Sequence, residues 1–378
     1  MLIGIDGNEA NQPNLVGVGQ FAFNVLTELE KIGRNRYFVY LKDRPKADLP
    51  KERDGWKYIV FGPGKLWTQI ALPIKLFTQK QKLDIFYSPS HYLPRFSPVP
   101  AVVSIMDLWH HRHPEQFAGK DLYQLTKWEG YSVKKAKHVV TISEFSKKEI
   151  LDIYKIPENK ITVAYTGFTN FQFSIFNSKS IFNSKILNVK NKYGIKGDYL
   201  LYLGTLQPKK NIEGLIKAFS VLITNYKLLI TLVIAGKKGW LYEKIFELVK
   251  ELGLENKVIF TGFVDEEEKA YLIAGATAFV LVSFYEGFGI PVLEAMSLGV
   301  PVVCSHEGSL PEVGGEAAVY CDPYKTEDIK RAMDEVLCLN KAEKDEIIRL
   351  GKEQCKKFSW EKCAEAVLGV LENEGKNL

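Results

Sequence analysis

The chain has 378 residues, which leaves room for two α/β domains with large cores. An apolar fraction of 46% and a charged fraction of 25% are typical of a water-soluble globular protein. No apolar run reaches the length of a membrane-spanning helix, which excludes a helical integral membrane protein.

The formal charge of +5 is unevenly distributed. Residues 1–170 carry 24 Lys and Arg against 17 Asp and Glu, a balance of +7, and the remainder has a balance of −2. A basic first half suits an anionic lipid surface, a phosphorylated acceptor or nucleic acid, and ordinary solvated lysines explain it equally well. The sequence contains no RNA- or DNA-binding motif, so nucleic acid is the weakest of these.

The first half of the chain alternates predicted strands and helices, which indicates a parallel sheet with helices on both faces. The strands are predicted at 2–6, 37–41, 58–61, 84–87, 101–105, 138–142 and 161–165, and the helices at about 66–80, 119–135 and 144–154. Gly17 and Gly19 lie in a turn between the first strand and a helix. A strand, a glycine turn and a helix suit an approach to phosphate, although many such turns need glycine for geometry alone.

The segment 66–82 combines apolar residues, a proline and terminal lysines. Two interpretations stay open: a basic amphipathic helix that rests on a membrane surface, or a helix packed on its own sheet.

Asp107 follows the predicted strand 101–105, at the end where open α/β sheets place ligand-contacting groups. His110, His111 and His113 come next. They lack the i, i+4 spacing of one helix face, and no acidic residue is paired with them in the sequence. We therefore expect loop histidines rather than a metal site. Further along, Ser143 is a good N-cap for the helix 144–154.

Residues 174–179 are repeated at once as 180–185. A six-residue tandem repeat is too short for a solenoid, so we predict a duplicated surface loop inside an inter-domain linker at 169–195. The linker separates an N-terminal domain at 1–168 from a C-terminal domain at 196–357.

A second α/β series follows the linker: residues 198–211 are predicted to run from strand through turn to helix, further strands are predicted at 229–235, 258–261, 278–283 and 300–304, and helices at 326–339, 342–357 and from 358 onwards. Lys209 and Lys210 precede a helix that Asn211 is expected to cap. Two lysines before a helix N-terminus suit a diphosphate clamp, and solvated surface lysines are the alternative.

All five cysteines lie in the last quarter without metal-ligand spacing, and no cleavable signal precedes the first strand, so we expect free thiols in the cytoplasm.

Glu286 and Glu294 bracket a glycine turn and the start of a helix that carries Pro291 in its first turn. The free N–H groups and partial positive charge of that terminus suit a phosphate. Carboxylates on either side can accept hydrogen bonds from sugar hydroxyls. Alone, such a pair is more often a turn with two exposed glutamates.

Together, collinear segments of the chain resemble the family 4 retaining glycosyltransferases of the GT-B fold. They are Gly17-Val-Gly19, Asp107-Leu108, Thr141-Ile-Ser-Glu-Phe-Ser146, Tyr202-Leu-Gly-Thr-Leu-Gln-Pro-Lys-Lys-Asn211, Glu286-Gly-Phe-Gly-Ile-Pro-Val-Leu-Glu294, Ser309-Leu-Pro-Glu-Val313 and Phe358-Ser-Trp360. The resemblance implies an α/β protein with two Rossmann-like domains facing a central cleft. It also implies that residues 358–378 pack back on the N-terminal domain.

The resemblance further implies roles for individual residues. Glu294 would bind the nucleotide ribose, Glu286 would lie beside the donor sugar, and Lys210, helped by Lys209, would neutralise the departing diphosphate. Asp107 would complete the catalytic set. The other implied donor contacts are Gly17, Gly19, Thr205, Phe288, Gly289 and Ile290, with Gly17 and Gly19 letting the N-terminal loop close on the diphosphate. No Asp-x-Asp element is present, so we expect neither metal nor other cofactor; lysines and helix dipoles would supply the charge.

Two positions depart from the family pattern. Thr205 stands where many relatives have Arg, and Lys209 is a possible replacement for that charge. Met106 stands where the family usually has a histidine near the donor sugar, and methionine cannot donate a hydrogen bond.

We therefore expect an enzyme that moves a sugar from a nucleotide-sugar to a glycan or lipid-linked acceptor in cell-surface polysaccharide synthesis. GDP-mannose is the favoured donor, with a UDP-sugar as the alternative. Weak contact with an anionic membrane at its cytoplasmic face would fit the basic first half. Two rivals stay open: a relative that binds a nucleotide-sugar with reduced turnover, and a sugar-nucleotide epimerase of the same architecture.

Overall fold

The computed structural model describes residues 1–13, 15, 17–62, 64–171, 179–226 and 230–376. The chain divides into two compact units. The first unit comprises Met1–Gly167 and Phe358–Leu378, and the second comprises Phe168–Lys357.

The first unit is built on a seven-stranded parallel sheet with the order β3-β2-β1-β4-β5-β6-β7. Its strands are β1 (Leu2–Asp6), β2 (Arg36–Leu41), β3 (Trp56–Val60), β4 (Ile85–Ser88), β5 (Ala101–Ile105), β6 (His138–Thr141) and β7 (Ile161–Val163). β1, β4, β5 and β6 are buried throughout, as expected of parallel strands covered on both faces. The strand order reverses direction at β1 and β4, which creates a crevice outside their carboxyl ends.

Helices connect these strands: α1 (Val18–Ile32), α2 (Leu72–Thr78), α3 (Trp109–Arg112), α4 (Gly119–Tyr123), α5 (Glu129–Lys135) and α6 (Glu144–Tyr154). The predicted helix 66–80 is a π-helical turn, Trp67–Ala71, that continues into α2. It buries Trp67, Leu72 and Leu76 against the sheet and leaves other large apolar side chains exposed. Ser143 caps α6 as predicted, because its side chain accepts a hydrogen bond from the Ser146 N–H.

The second unit contains a six-stranded parallel sheet with the order β10-β9-β8-β11-β12-β13. The strands are β8 (Asp198–Leu203), β9 (Ile230–Ala235), β10 (Val258–Gly262), β11 (Ala278–Leu281), β12 (Val302–Ser305) and β13 (Ala318–Cys321). β13 was not predicted, because four residues with partial burial give little pattern. The order repeats the Rossmann arrangement, with its reversal between β8 and β11.

The helices of the second unit are α7 (Lys179–Lys192), α8 (Ile212–Tyr226), α9 (Glu243–Glu251), α10 (Glu266–Ala274), α11 (Ile290–Ser297), α12 (Leu310–Gly314), α13 (Thr326–Leu337) and α14 (Lys341–Cys355). The prediction of a duplicated surface loop is wrong for residues 179–185, which form the start of α7; residues 174–178 of the repeat lie outside the described residues. Phe182 of α7 packs against Tyr271 of α10, with ring centroids 5.7 Å apart. This tertiary contact favours a helix that the polar repeat alone did not predict.

The last helix, α15 (Trp360–Lys376), belongs to the first unit and packs against α1 and β4. The chain around Trp360 passes so close to Gly167 that a Cβ on this glycine would lie 2.2 Å from the Trp360 nitrogen. The five cysteines are free, and all but Cys338 are buried. Within the described part of the chain, every helix is too short or too polar to cross a bilayer.

Candidate functional site

The crevice of the second sheet is where the predicted phosphate clamp and the Glu286 loop meet. Lys209 and Lys210 lie on a 3₁₀ turn that follows β8, and Glu286 lies in the turn that follows β11. β8 and β11 are hydrogen-bonded neighbours at the point where the strand order reverses. Open α/β sheets bind ligands at such a point.

Lys210 and Glu286 form a tight ion pair. The Lys210 ammonium donates to both Glu286 carboxylate oxygens, at 2.6 and 2.7 Å. The side chains are only 16% and 8% exposed. Charge-assisted hydrogen bonds of this length are strong, and burial reduces their screening by water. The structure thus joins two residues, 76 positions apart in sequence, that were predicted to act together.

Serines hold the Glu286 loop in place. The Ser283 hydroxyl donates to Glu286 Oε1 at 2.7 Å, and the Ser309 hydroxyl donates to the carbonyls of Glu286 and Phe288 at 3.0 and 2.8 Å. Sequence reasoning missed Ser283, and it noted Ser309 only as the first residue of a segment that resembles the family.

Gly308 brings the chain close to this loop. Its φ of +67° is in the left-handed region, and a Cβ there would lie 2.7 and 2.8 Å from the Glu286 backbone O and N. Glycine is therefore required both by conformation and by space.

The remaining predicted donor contacts surround the same turn. Gly289, with φ +113°, precedes α11, which begins at Ile290 with Pro291 in its first turn. Phe288 is buried, Ile290 is half-buried, and Thr205 follows β8, where its carbonyl accepts from the Tyr202 hydroxyl at 3.4 Å. The Lys209 ammonium lies 5.8 Å from the centre of the Tyr285 ring. The second sheet thus gathers this whole predicted set at one edge.

Asn211 connects the 3₁₀ turn of Lys209 and Lys210 to the rest of the second unit. Its φ of +53° is left-handed, and its side-chain amide donates to the carbonyls of Val282 and Pro323 at 3.1 and 2.7 Å. These bonds hold the start of α8 beside the end of β11.

Glu294 lies one turn further along α11 and is almost fully buried. Its Oε1 accepts from the Lys269 ammonium at 2.7 Å, and Lys269 also reaches Glu266 Oε2 at 2.8 Å. Burial raises the pKa of Glu294, and Lys269 opposes that rise. Burial lowers the pKa of Lys269, but the two carboxylates outweigh it and leave that pKa above its ordinary value. Lys269 was not predicted, because a single lysine on a helix usually indicates a solvated face.

The predicted residues of the first unit lie along the edge of its own sheet. Gly17 has φ +49° and precedes α1, and a Cβ on Gly19 would lie 3.2 Å from the Glu9 carbonyl oxygen. Asp107 follows β5 and accepts from the Trp109 N–H at 3.3 Å. Met106 is buried, and its carbonyl accepts from the Ser146 hydroxyl at 3.1 Å.

Beneath this edge lies a buried carboxylate, Glu129, at the start of α5. It accepts from His91 at 2.8 Å and from the Tyr154 hydroxyl at 2.6 Å, and His110 Nε2 lies 3.4 Å away. Burial opposes ionisation, but the histidine hydrogen bonds hold the pKa of Glu129 below its ordinary value. Burial likewise lowers the pKa of His91, but the hydrogen bond to Glu129 and its charge raise that pKa overall. The structure therefore favours a buried imidazolium–carboxylate pair.

His110 and His111 lie on the short helix α3, not in a loop as expected, and an acidic residue does accompany them. Their ring nitrogens and a Glu129 oxygen lie within 4.8 Å of one another, a spacing that can hold a metal ion. Both Glu129 oxygens already accept hydrogen bonds, and the His111 ring bonds the Tyr154 hydroxyl at 2.9 Å. The sequence did not show this cluster because Glu129 lies on a different helix.

A cavity of about 640 Å³ opens at the crevice of the first sheet. Residues after β1, β2 and β4 line it, together with aromatic and amide side chains: Asp6, Asn8, Glu9, Lys42, Ser90, Tyr92, Trp67, Gln69, Gln124 and Trp128 are among them. Burial raises the pKa of Asp6 to about 6, although Asn8 donates two hydrogen bonds to its carboxylate. Aromatic faces beside amides and carboxylates suit a polar ligand with apolar patches.

Family models match nearly the whole chain. Residues 16–169 match the glycosyltransferase family 4 model, and residues 186–354 match the model of glycosyl transferases group 1.

Curated relatives agree with these matches. O-antigen chain mannosyltransferase B of Escherichia coli is 34% identical over 280 residues, which cover 74% of this chain and 71% of that protein. The serotype-specific mannosyltransferase WbdA of Escherichia coli is 30% identical over 60% of this chain, but the match spans only 27% of WbdA.

Among solved structures, the Anabaena protein Alr3699/HepE in complex with UDP and glucose is similar, with a TM-score of 0.73 over 98% of this chain and 99% of that one. At 18% identity this similarity speaks for the fold alone, and it agrees with the predicted GT-B fold of two Rossmann-like units. The chain belongs to the group 1 glycosyltransferases of family 4 and is a glycosyltransferase.

Proposed function

We propose that this enzyme transfers mannose from GDP-mannose, with retention of anomeric configuration, to a glycan or lipid-linked acceptor in cell-surface polysaccharide synthesis. The names of its relatives support a mannosyl donor and an O-antigen product. The observation that carries the proposal is the Lys210–Glu286 ion pair at the crevice of the second sheet. A UDP-sugar donor is the alternative.

The pair supplies both groups that sugar transfer needs. When the C1–oxygen bond to the diphosphate breaks, an acceptor hydroxyl forms the new bond to C1 on the same face, and its proton passes to an oxygen of the leaving phosphate. Negative charge grows on that phosphate as the bond breaks, and Lys210 with Lys209 offsets it. Glu286, released from part of its contact with Lys210, accepts hydrogen bonds from the hexose hydroxyls. The backbone at Phe288–Ile290 and the N-terminus of α11 add donors beside it. In this proposal Glu294 accepts from the ribose hydroxyls.

The charges of these groups make a divalent metal unnecessary in this proposal. Gly17, Gly19 and Asp107 are proposed to contribute from the first unit. The cavity at the first sheet is a candidate acceptor site, because tryptophan faces and carboxylates are the usual partners of sugar rings and hydroxyls.

Contact with an anionic membrane is a further part of the proposal. Four large apolar side chains, spaced by three or four residues, are more than half exposed along the turn and helix at 66–78: Leu66, Ile70, Ile74 and Phe77. Such spacing places them on one side of a helix. Lys75, Lys80 and Lys82 lie in or after the same segment, which is the pattern of an interfacial helix.

Vesicle flotation tests this contact. The triple change of Lys75, Lys80 and Lys82 to glutamate, or of Ile70, Ile74 and Phe77 to serine, should abolish weak, salt-sensitive binding to anionic vesicles. Leu241→Ser, which removes an apolar side chain 59% exposed in the second unit, is the matched control. Equal binding to neutral and anionic vesicles at low salt would exclude this part of the proposal.

Proton NMR of early reaction products tests the main proposal. The enzyme is incubated with GDP-mannose and mannose-terminated oligosaccharides, and with water alone as acceptor. We expect α-linked product and α-mannose released before mutarotation. β-configured product would exclude retention, and turnover with UDP-sugars alone would exclude the GDP-mannose assignment.

A second candidate function, nucleotide-sugar binding with reduced turnover, is favoured by one feature of the sequence: Met106 stands where the family pattern that the chain resembles has a histidine. If Met106→His raised the rate of donor hydrolysis many-fold above a barely measurable wild type, this candidate would replace the first.

A further inference from the structure

Lys269 is a buried lysine whose ammonium group pairs with Glu294, the second carboxylate of the Glu286–Glu294 segment. It lies in the first turns of α10, a helix that Asp265 caps by accepting from the Glu268 N–H at 2.9 Å. Only 8% of its side chain is exposed. Burying an ammonium is costly unless it is paired, so its partners determine what it can do.

Those partners are two carboxylates and a ring. The ammonium reaches Glu294 Oε1 at 2.7 Å and Glu266 Oε2 at 2.8 Å, and it lies 5.4 Å from the centre of the Phe171 ring. Glu266 is 58% exposed in its side chain, whereas Glu294 is 3% exposed. Lys269 therefore connects an exposed carboxylate at the start of α10 to a buried one on α11.

The two oxygens of Glu294 are engaged differently. Among the described residues, Oε1 accepts from Lys269 and Oε2 accepts no hydrogen bond. A carboxylate fixed at one oxygen by a charged donor has lost its rotational freedom. Its second oxygen then keeps one direction, which suits a ligand with a hydroxyl at a fixed place.

We propose that Lys269 is a positioning residue for nucleotide binding: it fixes the Glu294 carboxylate through Oε1, so that Oε2 accepts from a ribose hydroxyl. This inference rests on the proposed ribose role of Glu294. Lys269 touches no substrate in this account and acts through Glu294.

The test compares the affinity for a nucleoside diphosphate with that for its 2′,3′-dideoxy form, by titration calorimetry. GDP and dideoxy-GDP are used first, and UDP with dideoxy-UDP if UDP binds more tightly. Wild type should bind the ribose form at least about tenfold more tightly, in line with loss of a hydrogen bond to a charged group. Lys269→Met should reduce that ratio to about twofold or less, and Lys269→Arg should restore part of it.

Lys192→Met is the matched control. Lys192 pairs at 2.6 Å with Glu268 of α10, the helix that carries Lys269, but the Lys192 side chain is 54% exposed. It should leave the ratio unchanged. If Lys269→Met folds, as judged by circular dichroism, and keeps the wild-type ratio, Lys269 is only structural and the inference is wrong. If Lys269→Met does not fold, Lys269→Gln takes its place, because glutamine removes the charge but keeps an amide beside the two carboxylates; a wild-type ratio in that variant overturns the inference.

One further outcome separates this inference from the proposed function. If wild type and Glu294→Gln both bind the two forms equally well, Glu294 is not a ribose ligand, and the ribose assignment fails together with the role of Lys269. If Glu294→Gln loses the ratio and Lys269→Met keeps it, only the inference about Lys269 fails.

Discussion

Replacing Lys210 by methionine should destabilise the second unit, because it leaves the Glu286 carboxylate buried without its cation. The carboxylate accepts from Lys210 through both oxygens and from Ser283 through one. Methionine keeps much of the lysine's length and apolar stem, so the change chiefly removes charge.

The magnitude follows from burial. Removing one partner of a buried ion pair costs about 3–5 kcal/mol. Glu286 keeps the Ser283 hydroxyl, and a hydrogen bond to a charged group is worth about 1.5–3 kcal/mol, so we expect the lower end, about 3 kcal/mol. For a unit of this size each kcal/mol lowers Tm by about 2–4 °C, which gives a shift of about 6–12 °C.

Differential scanning calorimetry of four proteins measures the effect: wild type, Lys210→Met, Glu286→Gln and the double variant. The double variant removes both charges, so its loss of stability should be smaller than the sum of the two single losses, by about 0.5–3 kcal/mol. Lys217→Met, an exposed lysine on α8, should change stability by no more than about 0.5 kcal/mol. A loss below about 1 kcal/mol for Lys210→Met, or strict additivity, would refute a buried pair.

Three further predictions follow from the structure. Gly308→Ala should lower turnover by about tenfold or more, because the added Cβ would collide with the Glu286 backbone. Gly253→Ala is the control: this glycine has a similar left-handed φ but open space around it, so the variant should keep full activity. Equal activities of the two variants would contradict the close approach at Gly308. His91 is paired with Glu129 and lies near Asp107 and Glu9, and these negative charges raise its pKa in the folded protein above the ordinary value of 6.5. The protonated ring should therefore stabilise the fold fully below pH 6.5, and this stabilisation should be lost as pH rises through the raised folded pKa. As pH rises from about 6.5, wild type should therefore lose unfolding free energy that His91→Asn does not lose, and parallel pH profiles would contradict the pair. Activity should survive EDTA; abolition by EDTA with rescue by Mn²⁺ would show that a metal is required.

Sequence patterns predicted much of the fold because buried parallel strands are continuous apolar runs. β1 and β5 were predicted to the residue, and α6 was predicted with its bounds and its Ser143 cap. β13 and the start of α7 were missed for opposite reasons. β13 is too short to show a pattern, and α7 is polar and is stabilised by contacts with α10 instead of by its own sequence.

The candidate site was predictable only in part. Lys210 and Glu286 each follow a strand, and parallel strands bring such turns to one edge, so their meeting could be anticipated. Lys269 and Glu129 could not be anticipated in the same way. Each is a charged residue on a helix, which usually indicates solvent, and its partners lie on other elements that only tertiary packing brings near.

A structure of the enzyme with GDP-mannose bound tests the central claim most directly. The account predicts the diphosphate within hydrogen-bond distance of Lys210, the hexose beside Glu286, and a ribose hydroxyl on Glu294 Oε2. A donor bound elsewhere, with Lys210 still held by both oxygens of Glu286, would contradict it.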